Sequence, residues 1–433
     1  MLERGQTLLL GLSGGLDSTV LLHLLAHLRA TAGFTLKAMH VHHGLSPHAD
    51  AWVDFCQTLC RSLEVDIEVA RISVPTHNAS GVEATARALR YEALMRTAAD
   101  FVVLAHHQDD QAETLLLQLL RGAGVKGLAA MAPQDNRRRL LRPLLEVTRE
   151  EIEVYASAHG LQWIEDESNR DTRFDRNYLR HEALPLLEQR FPAAKRVMAR
   201  SASHLAEAAA LLDELAVLDA QRCMRHDLLV VSVLRELSEA RARNVLRWWL
   251  ARQSIELPSS IRLREMLRQL LDARTDAQVK LAVGASDKGG GQGSLRRYQD
   301  MIYLDLEQEA PPFSLTWRGE PLLTLPDGSR LRFVRGMASG LAYARLGIDC
   351  LRIAQRTGGE RFKPDLARPS RTLKHLLQEA NMPPWQRQRL PLVYHEGKLA
   401  VVPGIGVSAE LQAREDEPAM TIVWEDSATI YPD

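Results

Sequence analysis

The chain has 433 residues, which is too long for one ordinary hydrophobic core and predicts two or three domains. Its hydrophobic content of 45% and charged content of 25% exclude wholesale disorder, coiled coil and collagen-like structure. The formal net charge of −1 excludes a uniformly basic nucleic-acid-binding coat, although a local basic patch remains compatible with it.

The N-terminal half alternates predicted strands with predicted helices. Apolar runs predict strands, and apolar residues three or four apart predict helices. The predicted strands are residues 7–12, 34–41, 65–74 and 101–105, and the predicted helices follow residue 18 and cover residues 51–63, 81–99 and 109–120. This alternation predicts a doubly wound parallel α/β sheet, in which ligands bind beyond the carboxyl ends of the strands.

The second half has a different pattern. Residues 204–220 predict a long connecting helix, residues 239–251 and 260–271 predict further helices, and residues 287–294 predict a glycine-rich loop before a strand. Two prolines at 311 and 312 mark a boundary, after which strands are predicted near Val401 and Ile422. We therefore expect a catalytic domain with its linker helix over 1–215, a helical domain over 216–310, and a small α/β domain over 311–433.

The sequence SGGLDS at residues 13–18 follows the first predicted strand and begins a helix. Adjacent glycines let the backbone approach an anion, and the unpaired N–H groups of a helix start attract one. Asp17 would repel a phosphate unless a divalent cation lay between them, so the pattern indicates a polyphosphate with Mg²⁺. An ordinary N-cap turn uses the same residue types. A Walker A loop is excluded, because its GK[ST] ending is absent.

A second polar cluster, AHHQDDQAET at residues 105–114, follows the fourth predicted strand. If it is helical, His106, Asp110 and Glu113 share a face, and Asp109 lies about a quarter-turn aside. Such a set could bind a metal, orient an amine or take its proton, and its oxygen atoms suit Mg²⁺ better than zinc. A charged, solvent-facing helix start is the structural alternative.

Together with further motifs, these two clusters resemble the tRNA(Ile)-lysidine synthetase family of PP-loop ATP pyrophosphatases, which has an adenine nucleotide alpha hydrolase-like fold. The further motifs are HVHHGLS (40–46), ExxARxxRY (83–91), LLRG (119–122), RPLL (142–145) and WIEDESNRDTRFDRNYLR (163–180). Residues 356–362, 370–391 and 401–407 are similar to the C-terminal domain of the long, multi-domain form. One departure is visible: the family's V-D-H-x-L-R motif reads VHHGLS at residues 41–46.

The resemblance implies an ATP-dependent ligase that acts on the wobble cytidine of the CAU anticodon of tRNA(Ile). ATP adenylates the 2-carbonyl oxygen, and the amine of free L-lysine then displaces AMP, giving lysidine and changing codon and aminoacylation specificity from Met to Ile. The implied site residues are, for ATP, Ser13, Gly14, Gly15, Leu16, Asp17, Ser18 and Met39; for Mg²⁺, Asp17 and Asp109; and for catalysis, Asp17, His106, Asp110 and Glu113. Which of the last three pairs with the ammonium of lysine, and which takes a proton, stays open.

Aromatic rings and arginine planes are the expected partners of an unstacked anticodon base. The predicted tRNA contacts are Arg87, Arg142, Arg173, Phe174, Arg176, Arg180, Arg361, Lys363, Arg371 and Lys374. Residues 352–398 contain ten cations and four acids, a net +6, whereas residues 410–433 contain seven acids and one arginine, a net −6. A basic tRNA-binding module is therefore expected inside a neutral total, with a solvated mixed surface as the alternative.

Three other functions compete with this interpretation. A related tRNA-thiolating enzyme would need catalytic cysteines, but Cys56 and Cys60 lie on the apolar face of a predicted helix, as packing residues do. A small-molecule amidating ligase is disfavoured by the basic C-terminal module. A tRNA-binding module without activity would leave the two polar clusters at the sheet edge unexplained.

The compartment is also predicted from composition. Four cysteines in a chain of this length are typical of a reducing environment. No apolar run is long enough to span a bilayer, and the start MLERGQ has no export signal. We therefore expect a cytoplasmic protein without a membrane partner. The family resemblance leaves the assembly open, with a homodimer as one form.

Overall fold

A computed structural model describes the chain except for a set of short segments, which are residues 1–2, 45, 76–81, 168–170, 254, 275–276, 278, 285–292, 307–311, 338, 343–350, 365, 368 and 427–433. The side chains of residues 82–84 are also outside the description. The predicted glycine-rich loop therefore lies almost entirely outside the described residues, as do Leu45 of the second motif and the side chain of Glu83. The chain divides into two compact units, Met1–Leu212 and Asp213–Asp433.

The first unit is built on a six-stranded sheet in the order β3-β2-β1-β4-β6-β5. All neighbours pair in parallel except β5, which runs antiparallel at one edge. The strands are β1 (Thr7–Gly11), β2 (Thr35–His42), β3 (Asp66–Arg71), β4 (Phe101–Val103), β5 (Gln134–Asp135) and β6 (Leu140–Leu141). The predicted parallel α/β sheet is confirmed, and the two polar clusters follow its adjacent strands β1 and β4.

Helices cover both faces of this sheet, because successive side chains of a strand point to opposite faces. Leu8 and Leu10 pack on one face with residues of α1, α2 and α6, whereas Leu9 packs on the other with Leu94 of α3. The helices of this unit are α1 (Leu16–Ala32), α2 (Ala49–Ser62), α3 (Val82–Arg96), α4 (Gln108–Leu120), α5 (Val125–Leu128), α6 (Arg149–Ala158), α7 (Asp175–Tyr178) and α8 (Leu184–Arg190), with a π-helical turn at Leu179–Ala183. The long connecting helix α9 (Ala194–Cys223) starts ten residues before the predicted position.

The middle region contains the predicted helices and, in addition, a five-stranded antiparallel sheet in the order β7-β8-β11-β10-β9. Its helices are α10 (Val231–Glu236), α11 (Glu239–Arg252) and α12 (Ser260–Asp272). Its strands are β7 (Met224–Arg225), β8 (Leu228–Val230), β9 (Val279–Val283), β10 (Gly293–Tyr298) and β11 (Met301–Asp305). Buried residues of the helices and the sheet, with Trp249 among the largest, form one hydrophobic core.

The described part of the C-terminal region combines small antiparallel sheets with helices, which agrees with the predicted small α/β domain. The sheets have the orders β12-β15-β18-β19-β20, β13-β14-β21 and β16-β17. The strands are β12 (Ser314–Thr316), β13 (Leu322–Thr324), β14 (Arg330–Met337), β15 (Leu351–Gln355), β16 (Arg361–Phe362), β17 (Arg371–Thr372), β18 (Pro391–His395), β19 (Lys398–Val402), β20 (Gly406–Val407) and β21 (Pro418–Glu425); the helices are α13 (Leu373–Glu379) and α14 (Pro384–Arg389). Two hydrophobic clusters form its core.

Ion pairs connect the middle sheet to the C-terminal region within the second unit. The guanidinium of Arg389 lies 2.8 Å from Asp305 Oδ1 and 3.3 Å from Asp426 Oδ2, and all three side chains are largely buried. Arg387 Nη2 lies 2.9 Å from the hydroxyl oxygen of Tyr298. A buried charge needs partners of this kind. The two regions therefore share a polar network, although the sequence predicts a boundary between them.

Candidate active site

Residues 13–18, called the glycine loop below, connect β1 to α1 and form a self-bonded turn. The hydroxyl of Ser18 donates to the carbonyl of Gly15 at 3.0 Å. Ser18 Oγ also lies 3.0 Å from Ser13 Oγ. Gly15 is the N-cap of α1, and no side chain caps the first turn of that helix. The N–H groups of this turn therefore present partial positive charge towards the edge of the sheet.

Gly14 is required by conformation and by packing. Its φ of +86° lies in the left-handed region, and a Cβ there would be 2.8 Å from Ile164 Cδ1 and 3.1 Å from Cys56 Sγ. The N–H of Ile164 also donates to the carbonyl of Gly14 at 2.9 Å. The segment that leads into the predicted tRNA-binding motif thus packs directly on the glycine loop.

Leu16 and Met39, two predicted ATP contacts, have buried side chains. Leu16 belongs to one hydrophobic cluster of the sheet and Met39 to the other. The carbonyl of Met39 accepts a hydrogen bond from the N–H of Leu12 at 2.9 Å. Their contact with ATP stays a prediction, and in this geometry it would involve the backbone.

In the second cluster, α4 begins at Gln108 with His107 as its N-cap. The expectation that His106 shares a helical face with Asp110 and Glu113 is therefore wrong, because His106 precedes the helix. Asp110 and Glu113 do lie on α4, with 7% and 1% of their surface exposed. Burial lowers the pKa of His106 and outweighs the opposing effect of Asp110. Within the described part of the chain, His106 Nδ1 is buried and has no hydrogen-bond partner.

Two arginines bind both buried carboxylates. Arg176 lies 2.7 Å from Asp110 Oδ1 and 2.7 Å from Glu113 Oε2, while Arg180 lies 3.0 Å from Asp110 Oδ1 and 2.6 Å from Glu113 Oε1. Burial alone would raise the pKa of Asp110, but His107, Arg176 and other nearby cations outweigh it and lower that pKa. Both arginines are predicted tRNA contacts, but here their charged ends bind the predicted catalytic acids.

His107, which the sequence reasoning missed, links the two polar clusters. Its Nε2 lies 3.8 Å from Asp17 Oδ2 and 3.5 Å from Asp110 Oδ2, and its Nδ1 lies 3.8 Å from Asp109 Oδ1. Burial would lower the pKa of His107, but these three carboxylates raise it. The sequence did contain this residue as the second histidine of AHHQDD, but which histidine faces the carboxylates depends on where α4 begins.

The two predicted Mg²⁺ ligands each contact a cation of the chain. Asp17 Oδ1 lies 2.8 Å from Arg149 Nη1, and Asp109 Oδ2 lies 2.9 Å from Lys195 Nζ. Burial raises the pKa of Asp17 against the opposing effects of His107 and Arg149. Sequence reasoning missed Arg149 and Lys195, because they come from α6 and α9, far along the chain.

Across the described residues, no three His, Cys, Asp or Glu side chains are arranged to hold a metal ion by themselves. Mg²⁺ usually binds one or two carboxylates together with substrate phosphates and water. Asp17, with 28% of its side chain exposed beside the open start of α1, fits that role. Asp109 is more enclosed, and it also accepts a hydrogen bond from the N–H of Arg149 at 3.3 Å.

The other predicted tRNA contacts of the first unit differ in exposure. Arg87 is exposed beside the ring of Tyr91, and Arg173 is exposed and paired with Asp171 at 2.6 Å. Phe174 is half-buried as the N-cap of α7. Arg142 is buried and donates to the carbonyl of Ala132 at 2.8 Å, which disfavours a direct contact with RNA.

In the second unit, the four predicted tRNA contacts lie on or next to the β16–β17 ribbon. Arg361 and Arg371 are exposed on its two strands, where Arg361 donates to the carbonyl of Ser370 and Arg371 pairs with Glu379. Lys363 is half-buried, and Lys374 is exposed in the first turn of α13. The ribbon therefore presents a compact group of cations to solvent.

The cysteines do not have the properties of a thiolating site. Cys56 and Cys60 are fully buried in the hydrophobic core of the first unit. Burial raises the pKa of both thiols to about 12. A reactive cysteine needs a lowered pKa and access to solvent, so these two are packing residues.

Comparison with known proteins identifies relatives along most of the chain. Family models match residues 3–187 as a PP-loop domain, residues 229–303 as a TilS substrate binding domain, and residues 351–424 as a TilS substrate C-terminal domain.

Three of the most similar curated relatives bear the name tRNA(Ile)-lysidine synthase. The protein of Nitrosomonas europaea is 43% identical over 98% of this chain and 93% of its own length. Those of Azoarcus sp. and Aromatoleum aromaticum are each 43% identical, over 95% and 97% of this chain and 90% and 97% of their own lengths.

Proposed function

Because the chain belongs to the tRNA(Ile)-lysidine synthase family, an ATP-dependent ligase family that modifies tRNA, we propose that it joins free L-lysine to the wobble cytidine of the CAU anticodon of tRNA(Ile). In the first step, the 2-carbonyl oxygen of the cytidine attacks the α-phosphorus of ATP and pyrophosphate leaves. In the second, the side-chain amine of lysine attacks carbon 2, and AMP leaves with the oxygen. The base then pairs as uridine does, which changes codon and aminoacylation specificity from Met to Ile.

One observation carries this proposal: a single imidazole connects the glycine loop to the buried carboxylate pair. His107 Nε2 lies 3.8 Å from Asp17 and 3.5 Å from Asp110. Adenylation and attack by the amine occur at one end of one base, so the phosphates and the ammonium must bind close together. The spacing of Asp17 and Asp110 supports such an arrangement.

In the first step, the glycine loop would bind the phosphates through the N–H groups at the start of α1. Mg²⁺, when bound, would neutralise phosphate charge and stabilise pyrophosphate as it leaves. Asp17 would hold this ion together with phosphate oxygens, and Asp109 is the second candidate ligand. In the nucleotide-free chain, Arg149 and Lys195 balance the charge of these two aspartates.

In the second step, Asp110 and Glu113 would hold the ammonium groups of lysine. Both carboxylates are buried, and each accepts hydrogen bonds from two guanidinium groups, so an ammonium that binds there would take the place of one of these guanidinium contacts. We assign the proton of the attacking amine to the group formed by His106, Asp110 and Glu113; burial lowers the pKa of His106, which makes its imidazole a weaker base than an ordinary histidine.

The decisive experiment is exchange of labelled pyrophosphate into ATP in the absence of lysine. We expect exchange to require tRNA(Ile), and labelled lysine to enter the tRNA when it is added. Exchange that requires a small-molecule acceptor instead of tRNA would indicate a small-molecule ligase. Transfer of sulfur would indicate a thiolating enzyme, and tRNA binding without exchange would indicate a binding module.

Replacing Asp110 with Asn should leave ATP binding within about twofold but reduce lysine incorporation by at least a hundredfold, because the charge that attracts the ammonium is removed. Binding is measured by titration with ATP, and incorporation with labelled lysine. Asp175→Asn, which changes an exposed acid paired with Arg121 at 3.8 Å, is the control and should retain both. Normal incorporation by Asp110→Asn would refute the assignment.

We place this reaction in the cytoplasm, where tRNA, ATP and lysine are available, and the buried free thiols Cys56, Cys60 and Cys223 support a reducing compartment. In the part of the chain that the structure describes, no helix combines the length and apolar character that a membrane span requires. A homodimer stays a proposal, which sedimentation of the full chain would test.

A further inference from the structure

Arg149 contacts both predicted magnesium ligands from the first position of α6. Its Nη1 lies 2.8 Å from Asp17 Oδ1, and its backbone N–H donates to Asp109 Oδ1 at 3.3 Å. Its Nε lies 2.9 Å from Glu153 one turn later on the same helix. One residue therefore connects the glycine loop to the start of α4.

The position of Arg149 is fixed by its helix. Thr148 caps α6 in a reciprocal capping box, in which it accepts from the N–H of Glu151 at 3.2 Å and donates its own N–H to Glu151 Oε2 at 2.8 Å. Ile152 and Ala156 of α6 are buried against α1 in the core of the sheet. The Arg149 side chain is 39% exposed, so solvent lies beside its guanidinium.

We propose that Arg149 is a positioning residue, which holds the Asp17 carboxylate in the nucleotide-free chain and yields it to a divalent cation when ATP binds. This inference rests on the proposed role of Asp17 as a Mg²⁺ ligand. A guanidinium within hydrogen-bond distance of a carboxylate neutralises its charge and occupies one of its oxygens, so it competes with a metal for that oxygen.

The competition has a direction that can be measured without any catalysis. In the free protein, Asp17 binds a divalent cation weakly because Arg149 must first leave. Removing the guanidinium while keeping a polar side chain frees the carboxylate and raises its affinity for the metal. A purely structural role of Arg149 would give the same or a lower affinity, because a loosened loop holds a ligand less well.

The test measures binding of Mn²⁺, by its electron paramagnetic resonance signal, to the nucleotide-free full-length chain. Arg149→Gln should bind Mn²⁺ about three- to fivefold more tightly than the parent, the range expected for removing one partly exposed ion pair. Arg149→Lys, which keeps the charge, should stay within twofold of the parent, and so should Glu153→Gln, which removes only the other partner of Arg149. The double variant Asp17→Asn/Arg149→Gln should not show the gain.

A second measurement separates this role from simple destabilisation. In exchange assays at fixed ATP, the Mg²⁺ concentration for half-maximal rate should fall in Arg149→Gln. An unchanged or weaker Mn²⁺ affinity in Arg149→Gln, or a gain that persists without the Asp17 carboxylate, overturns the inference. Because Mn²⁺ binding needs neither lysine nor tRNA, this outcome is independent of whether the proposed reaction is correct.

Discussion

At the scale of the residue, the two most buried acids of the candidate site depend on cations from another segment. Glu113 is 1% exposed and Asp110 is 7% exposed. A buried carboxylate without a partner is costly; Arg176 bridges the two acids, and Arg180 binds both oxygens of Glu113. These arginines therefore have a structural role in the free protein, whatever they contact when RNA is bound.

Replacing Arg176 with Met should destabilise the first unit by about 2 kcal/mol, less than a fully buried pair because its side chain is 22% exposed. The measurement is the unfolding of the full chain followed by circular dichroism. Arg173→Met is the matched control, because Arg173 is 87% exposed and pairs with Asp171 at the surface. Equal stability of Arg176→Met and the parent would mean that water replaces the guanidinium at no cost.

Cys56 and Cys60 should resist alkylation by iodoacetamide in the native protein at pH 8. Only the thiolate reacts, and a pKa of about 12 leaves roughly one thiol in ten thousand ionised. Mass spectrometry of the digested peptides measures the modification, and the urea-unfolded chain is the control that should react fully. Rapid modification of the native chain would restore the thiolating alternative.

At the scale of the element, α6 shows how one helix start supports the site. Its capping box orders the first turn, its buried residues pack on α1, and its first residue contacts Asp17 and Asp109. The first N–H groups of a helix have no partners within the helix, and two of them in α6 are satisfied here: that of Glu151 by Thr148 and that of Arg149 by Asp109. The geometry of the glycine loop is thereby coupled to the stability of α6.

Replacing Thr148 with Ala should cost about 1 kcal/mol of stability and also tighten binding of ATP with Mg²⁺ by up to about threefold, because the cap that holds Arg149 against Asp17 is removed. Ser259→Ala is the matched control: Ser259 caps α12 in the second unit by accepting from the N–H of Arg262 at 3.3 Å. It should lower stability similarly and leave ATP binding unchanged. Thermal unfolding and ATP titration measure the two effects.

The elements also show what could be predicted from sequence. The parallel sheet was predictable because long apolar runs alternate with periodic helices, and the glycine loop because two glycines follow a buried strand. The middle sheet was predicted only in part: a strand was expected after the glycine-rich loop, where β10 and β11 lie, but β7 and β8 have only two and three residues and were missed. The ion pairs of Arg176 and Arg180 with acids 63 to 70 residues away could not be predicted either, because the sequence does not show which distant charges come close in the fold.

At the scale of the whole molecule, opposite charges are separated along the chain. Residues 352–398 have a net charge of +6 and residues 410–433 have −6, within a total of −1. The cations include those of the β16–β17 ribbon, which are exposed at Arg361, Arg371 and Lys374. We expect this local charge to control the affinity for RNA, since release of counterions depends on phosphate contacts rather than on net charge.

Replacing Arg361 and Lys374 together with Ala should weaken tRNA binding and reduce the salt dependence of the affinity. The slope of log Kd against log salt should fall by roughly 1 for each phosphate group that the protein no longer neutralises. Glu415→Gln/Asp416→Asn, in the exposed acidic segment, is the control and should leave the slope unchanged. An identical slope in the double alanine variant would place the phosphate-binding residues elsewhere.

The Arg389 network affects how this protein can be recombined with its relatives. Arg389 lies in the C-terminal region, and its partner Asp305 ends the middle sheet 84 residues earlier. A chimera joined between residues 306 and 312 would take position 305 from one parent and position 389 from the other. Unless both parents have the same pair, the hybrid would bury an unmatched charge. Chimeras should therefore take the middle and C-terminal regions together from the same parent.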